Sequence, residues 1–262
     1  MIAHCLNFLL PCPLQQNDDG KSSNRTYHIT KHTLSLLALA LVLCGCDTRS
    51  ISDSGYRHPY GWRQSDNPLY FGELTEFDIL GAAPRQDATE ANITKALQAA
   101  ATPKLKRGDK VILIQSGAEF PDNSMQDEIA RYFAAAPFSG VPPADKSGLA
   151  ESLRLRAAQG GYPYIGCYWG ILESGQVDSK GKVVSWVPIV GTFVPDQKEQ
   201  MRIRLKAILV DVATGGWKML TPEAQSDAGL NNVWTRESND QKLVLALKEK
   251  GYKSLVADLV KE

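Results

Sequence analysis

The sequence predicts an α/β fold, in which helices pack on a mixed sheet in a single compact domain that follows a polar tether. Three observations predict this class. Segments with helical periodicity alternate with short apolar runs in the first half of residues 85–262. A long segment, QMRIRLKAILVDV, is followed by the turn ATGG and a returning apolar run, which indicates a hairpin. The chain has 262 residues and is 43% hydrophobic, so it can bury a sizeable core.

The first half of the domain is predicted to alternate helix and strand. Apolar residues recur at helical spacing after Asp87, which predicts a first helix there. The β-branched run KVILIQS, residues 110–116, is typical of a buried strand. A second helix is predicted to begin after Ser124, and a third is predicted to end at the glycine pair 160–161.

The second half is predicted to be richer in strands. Residues 162–174 indicate a strand with Cys167 buried inside it. The hairpin follows, and its first strand carries Arg202, Arg204 and Lys206 at alternate positions. These three side chains are interpreted as the solvated face of that strand, with acidic headgroups or an acidic partner as the alternative. A final helix is predicted over residues 239–261.

Composition and motif content exclude several classes of function. Lys plus Arg and Asp plus Glu number 29 each, so charge gives no reason to expect a nucleic-acid partner. Beyond Cys46 the chain holds only His58 and Cys167 as histidine and cysteine, and it lacks HExxH, CxxC and G-x-S-x-G patterns. We therefore expect no metal and no cofactor.

Carboxylates remain as the one source of catalytic chemistry. Glu119, Asp122, Asp127 and Glu128 follow the 110–116 strand, where α/β sheets place ligand sites. Asp122 and Asp127 are the candidate catalytic residues of a hydrolase. The alternative is a solvated turn and a negatively charged first helical turn, which favours the helix dipole.

The N-terminal region has the order of a secretory signal. Residues 34–43, LSLLALALVL, would span about 15 Å as a helix, half of the roughly 30 Å hydrocarbon core of a membrane. Lys21, Arg25 and Lys31 precede this run. We interpret residues 1–45 as a leader. About 30 residues precede the apolar run, which is long for a bacterial signal, so we expect that Met1 is a misassigned start.

The end of this leader resembles the lipobox of bacterial lipoproteins, in the residues Leu43-Cys44-Gly45-Cys46. The resemblance implies that diacylglycerol is attached to the Cys46 sulfur, that cleavage occurs before Cys46, and that the new amino terminus is acylated. A register with Cys44 as the lipidated residue fits less well, and a short buried helix with two core cysteines is the structural alternative. Asp47 follows, which under enterobacteria-like sorting favours the inner membrane over the outer.

Two segments lie between the lipobox and the domain. Residues 46–55 are small and polar and are predicted as a tether. Residues 56–84 form an aromatic-rich arm, since the stretch from Tyr56 to Phe77 holds six aromatics in 22 positions. This aromatic content predicts that the arm packs as an irregular edge of the domain, with an arm that binds a protein partner or faces the membrane as the alternative.

The domain itself resembles the α/β domains of envelope lipoproteins such as the curli-secretion subunit, the N-terminal domain of the Tol-system propeller protein and the rhombotarget lipoproteins. The resemblance rests on KVILIQSG, the helix after it and MRIRLKAILVDVATG. Together these observations predict a lipid-anchored protein of the cell envelope, facing the periplasm, that acts by binding or assembly. A hydrolase that uses Asp122 and Asp127 is the alternative.

Overall fold

The structure is a computed structural model that describes residues 50–53, 70–81, 88–100, 102–177, 183–188, 200–228 and 236–261. These residues form five helices and one seven-stranded sheet. The helices are α1 Glu76–Leu80, α2 Glu90–Ala99, α3 Asn123–Ile129, α4 Leu149–Gln159 and α5 Arg236–Val260. The strands are β1 Lys110–Gln115, β2 Ala134–Phe138, β3 Tyr164–Val177, β4 Val183–Pro188, β5 Gln200–Asp211, β6 Trp217–Leu220 and β7 Gln225–Ala228.

The sheet is mixed, with the strand order β2-β1-β3-β5-β6. Strand β1 runs parallel to β2 and to β3, whereas β5 runs antiparallel to β3 and β6. Strand β4 pairs antiparallel with the C-terminal end of β3. Strand β7 pairs antiparallel with the N-terminal end of β5, which lies at the same end of the sheet. The predicted α/β class with a mixed sheet and packed helices is therefore confirmed.

Helices cover both faces of the sheet, because the central strands are apolar on both sides. On the first face, which we call the α5 face, α3 and α5 pack over Val111, Tyr168, Leu205 and their neighbours. On the second, the α4 face, α1 and α4 pack in the region of Ile112, Cys167 and the end of β5.

Helix α5 crosses the sheet closely at Gly251. A Cβ atom at this position would lie 2.9 Å from Leu205 Cδ1. The helix runs through Gly251 without a break because the missing side chain lets the backbone approach β5.

Some elements differ from the sequence predictions. Helix α2 has Thr89 as its N-cap, where the sequence offers Asp87, and none of its residues is buried. Helix α3 ends at Ile129, so Phe133 reaches the core from the turn that follows. Helix α1 was not predicted; a capping box between Thr75 and Asp78 starts it.

Candidate functional site

Residues 50–53, which we call the N-terminal segment, occupy a gap beside β3. The gap lies between the last β1 pair, Gln115 with Tyr168, and the first β4 pair, Glu173 with Pro188. Ser50 forms an antiparallel bridge with Ile171 in this gap. Residues 50–53 fall within the segment that the sequence predicts as a tether, and in the structure they pack beside β3.

Ile51 is the apolar centre of the N-terminal segment. Its side chain is 1% exposed, and its backbone N–H donates to the carbonyl oxygen of Gly170 at 3.0 Å. A Cβ atom at Gly170 would lie 2.8 Å from Ile51 Cγ2 and 2.5 Å from Leu205 Cδ2. The absence of a side chain at Gly170 therefore makes the space that Ile51 fills.

A partly buried ion pair holds the N-terminal segment from the α5 face. The ammonium of Lys248, on α5, donates to the carbonyl oxygen of Ile51 at 2.8 Å and lies 2.9 Å from Asp122 Oδ2. The hydroxyl of Tyr252, one turn further along α5, donates to the same Asp122 oxygen at 2.5 Å. Asp122 therefore links the β1–α3 loop to α5, and through Lys248 to the N-terminal segment.

Gln115, at the end of β1, extends this network. Its Oε1 accepts hydrogen bonds from the Tyr168 hydroxyl at 2.5 Å and from the Asp122 backbone N–H at 2.8 Å. Its Nε2 donates to Ser52 Oγ at 3.0 Å. Burial raises the pKa of both Tyr168 and Tyr252 well above the usual value, so both remain hydroxyl donors.

Glu73 holds the N-terminal segment at Ser50, whose hydroxyl donates to Glu73 Oε1. Among the described residues, Glu73 Oε2 is buried without a hydrogen-bond partner. Burial raises the pKa of Glu73 because the charged form loses its hydration. Nearby, the Trp169 indole donates to the Leu74 carbonyl oxygen at 2.6 Å, which fixes residues 70–81 against the sheet.

The two candidate catalytic carboxylates lie in different environments. The carboxylate of Asp122 is committed to Lys248 and Tyr252, with 29% of its side chain exposed. Asp127 lies on α3 and is exposed to solvent. An apolar cavity of about 20 Å³ lies in the core between the sheet and the two helices α3 and α5, and apolar atoms line it. The structure therefore does not bring Asp122 and Asp127 together around that cavity.

Cys167 is completely buried on β3, as the sequence predicts. Burial raises the pKa of its thiol well above the usual range. The thiol therefore stays protonated, and it is the thiolate that reacts as a nucleophile. Within the described ranges, no group of three or more His, Cys, Asp or Glu side chains is placed to hold a metal ion.

Arg202, Arg204 and Lys206 of β5, which we call the cationic strip, lie on the α4 face. Glu173 of β3 forms ion pairs with both arginines, with its Oε2 2.5 Å from Arg202 Nε and its Oε1 3.4 Å from Arg204 Nε. Lys206 pairs with Glu76 of α1. The Arg202 guanidinium also lies 4.4 Å above the ring centre of Trp186. The strip is more exposed toward Arg204 and Lys206, whose side chains are 55% and 40% exposed.

Only part of the aromatic arm is described, since residues 54–69 and 82–87 lie outside the described residues. Within residues 70–81, Leu74 and Ile79 are buried, which supports the packed-edge interpretation for this part. Phe71 and Phe77, in contrast, are 69% and 72% exposed. The described part of the arm therefore both packs on the domain and presents two phenyl rings to solvent.

A family model described as YafT bacterial lipoprotein matches residues 75–262. The chain belongs to this family. The prediction that it is a bacterial lipoprotein is confirmed, and membership supports a lipid-anchored protein of the cell envelope. In the part of this YafT-family chain that the structure describes, no helix has the length and apolar content needed to cross a bilayer.

Two solved PelC dodecamers from Paraburkholderia phytofirmans also match the YafT-family chain, each at 16% identity. The first, a substituted variant, is matched over 60% of this chain and 95% of its own, with a TM-score of 0.27. The second is matched over 59% and 96%, with a TM-score of 0.23. A comparison with curated protein sequences finds no match.

Sequence reasoning missed Lys248, Tyr252 and Glu73, which hold the N-terminal segment in this YafT-family domain. Lys248 and Tyr252 are four residues apart, a spacing that places them on one face of α5. A lysine on the same helical face as Leu247, Leu255 and Leu259 was the available signal, because lysine is almost never fully buried unless it is paired.

Proposed function

We propose that this protein is a lipoprotein anchored through Cys46 that acts by binding a protein partner at the membrane surface. The YafT family match is the observation that carries the anchoring part of the proposal. The lipobox Leu43-Cys44-Gly45-Cys46 is the proposed processing site, with the mature chain beginning at Cys46. Asp47 supports retention at the periplasmic face of the inner membrane.

The binding part of the proposal is based on the contacts and burial of the residues that could carry catalysis. Asp122 is tied to Lys248 and Tyr252, and Cys167 is buried and protonated. These groups stabilise the domain and the segment that leads to the anchor. Their engagement favours an adaptor over a hydrolase, because a general acid or base needs access to a substrate.

Phe71 and Phe77 are the proposed contact for the partner. Large exposed aromatics are enriched at protein interfaces, where they bury a large area at low entropic cost. Both side chains are about 70% exposed, and they lie on a segment that Leu74 and Ile79 fix to the domain. A segment that is packed on the domain and exposes two phenyl rings is suited to a protein surface with complementary pockets.

Photo-crosslinking in living cells tests this function. A photoreactive amino acid replaces Phe71 or Phe77 in the full chain, and Leu97 serves as the control because it is 74% exposed on α2. We expect one discrete crosslinked protein from positions 71 and 77 in the membrane fraction, and none from position 97. The same product from all three positions, or no product at 71 and 77, would contradict the proposed contact.

A further inference from the structure

The N-terminal segment fixes the point at which the chain leaves the domain. Ser50 is 3% exposed and is held by its bridge to Ile171 and its hydrogen bond to Glu73. Only residues 47–49 separate Ser50 from Cys46. Four residue steps reach at most about 14 Å when fully extended, so Cys46 lies within that distance of Ser50.

This short reach limits the position of the domain on a membrane. When acyl chains hold Cys46 in a bilayer, its backbone lies at the level of the lipid headgroups. A tether of the ten residues 46–55 would let the domain move away from the bilayer, but a tether of four residue steps does not. Some of the domain surface near Ser50 must therefore face the headgroups.

The cationic strip lies beside Ser50. Ser50 pairs with Ile171, and Ile171 pairs with Arg204 in the neighbouring strand. Two strand spacings place the Arg204 backbone about 10 Å from Ser50, which is inside the reach of the anchor. Arg204 and Lys206 are 55% and 40% exposed, so their charged groups are accessible from solvent.

The chemistry of the strip fits an anionic phosphate surface. Its two arginines share one carboxylate, Glu173, and Lys206 pairs with Glu76. Arginine guanidinium groups bind phosphate oxygens in a two-pronged geometry. Trp186 lies under Arg202, and tryptophan is enriched at the headgroup level of membranes.

We propose that the cationic strip contacts the anionic phospholipid headgroups of the membrane that holds Cys46. The domain then rests on the bilayer with the end of the sheet formed by β4 and β7 toward the lipid. The turn between β5 and β6 points away from it. This inference rests on the proposed lipidation of Cys46.

Two fluorescent labels at opposite ends of β5 test the orientation. Ser226→Cys lies on β7 opposite Arg202, and Ala213→Cys lies in the exposed turn after β5. The nine residue steps from Arg202 to the end of β5 at Asp211 place the two positions about 30 Å apart. Each full-length, membrane-extracted variant is labelled, reconstituted into vesicles of phosphatidylethanolamine and phosphatidylglycerol, and quenched by a lipid that carries a nitroxide on its headgroup.

We expect the label at position 226 to lose at least about half of its fluorescence and the label at 213 to lose about a tenth or less, because a separation of about 30 Å exceeds contact range. The double variant Arg204→Gln/Lys206→Gln should reduce quenching at 226 at least about twofold, by removing two accessible charges. Arg131→Gln is the matched control, since Arg131 is 62% exposed on the loop after α3. This control should leave quenching unchanged.

Vesicle flotation distinguishes failure of the lipid anchor from failure of the proposed orientation. Protein that floats with the vesicles but is quenched equally at both positions has an anchor without the proposed orientation, and this result overturns the inference. Quenching at 226 that survives Arg204→Gln/Lys206→Gln overturns the role of the strip. Protein that does not float contradicts lipidation of Cys46, and the inference then fails with it.

Discussion

Replacing Asp122 by asparagine separates a structural carboxylate from a catalytic one. The change keeps the size of the side chain and an oxygen that accepts from Tyr252, but it removes the charge that faces Lys248. The Lys248 side chain is 6% exposed, and its remaining described acceptor is the carbonyl oxygen of Ile51. We therefore expect Asp122→Asn to lower the free energy of unfolding.

The magnitude follows from the burial of the two partners. Breaking a fully buried ion pair costs about 3 to 5 kcal/mol, and a hydrogen bond to a charged group contributes about 1.5 to 3 kcal/mol. The Asp122 side chain is 29% exposed, so water screens part of this interaction. We expect a loss of about 2 kcal/mol, which lowers Tm by roughly 4 to 8 °C for a domain of this size.

Thermal and urea unfolding of the purified protein measure this loss. Asp127→Asn is the matched control, because Asp127 is exposed on α3, the helix that follows Asp122, and its substitution should change stability by less than about 0.5 kcal/mol. The loss of stability in the double variant Asp122→Asn/Lys248→Met should be about 1 kcal/mol smaller than the sum of the losses in the two single variants. Equal stability of Asp122→Asn and Asp127→Asn, or a more stable Asp122→Asn protein, would refute the reasoning, since residues kept for catalysis often reduce stability.

Two further predictions concern the contacts of the N-terminal segment. Burial raises the pKa of Glu73 above its usual 4.5, so the unfolded chain releases this proton at lower pH than the folded domain does. The stability that Glu73 contributes should be complete below about pH 4.5 and should fall as pH rises toward the folded pKa. Glu73→Gln should flatten this part of the plot of urea midpoint against pH. An unchanged plot in Glu73→Gln would contradict this prediction. Gly170→Ala should cost about 1 to 3 kcal/mol in urea unfolding because its Cβ would lie 2.5 Å from Leu205 Cδ2 and 2.8 Å from Ile51 Cγ2. Gly166→Ala, whose Cβ would meet Val111 at an ordinary 3.6 Å, is the control, and equal losses in the two variants would argue against the packing of Ile51.

The central strands could be predicted from the sequence because their composition is decided by burial on both faces. KVILIQS and the apolar end of β5 carry β-branched and aliphatic residues at successive positions, which is typical of a covered strand. Cys167 could be placed in the core for the same reason. Helix α2 shows the limit of this logic, since its apolar spacing predicts a helix but does not determine whether another element packs on it.

The N-terminal segment could not be predicted because its composition is that of a tether. In DTRSISDSG the single large apolar residue is Ile51, and its importance comes from the space at Gly170, more than a hundred positions later. The candidate site has the same difficulty. The sequence located Asp122 after β1, but its partners Lys248 and Tyr252 lie about 130 positions away, and one sequence carries no record of that contact.

Intact-mass and N-terminal peptide analysis of the membrane-extracted protein test the central claim most directly. We predict a mature chain that begins at Cys46 and carries a diacylglyceryl group on its sulfur and an acyl group on its amino terminus. Cys46→Ser should abolish both the lipid and the cleavage, whereas Cys44→Ser should preserve them. A mature chain that begins at any other residue, or that has an unmodified Cys46 thiol, would contradict the account.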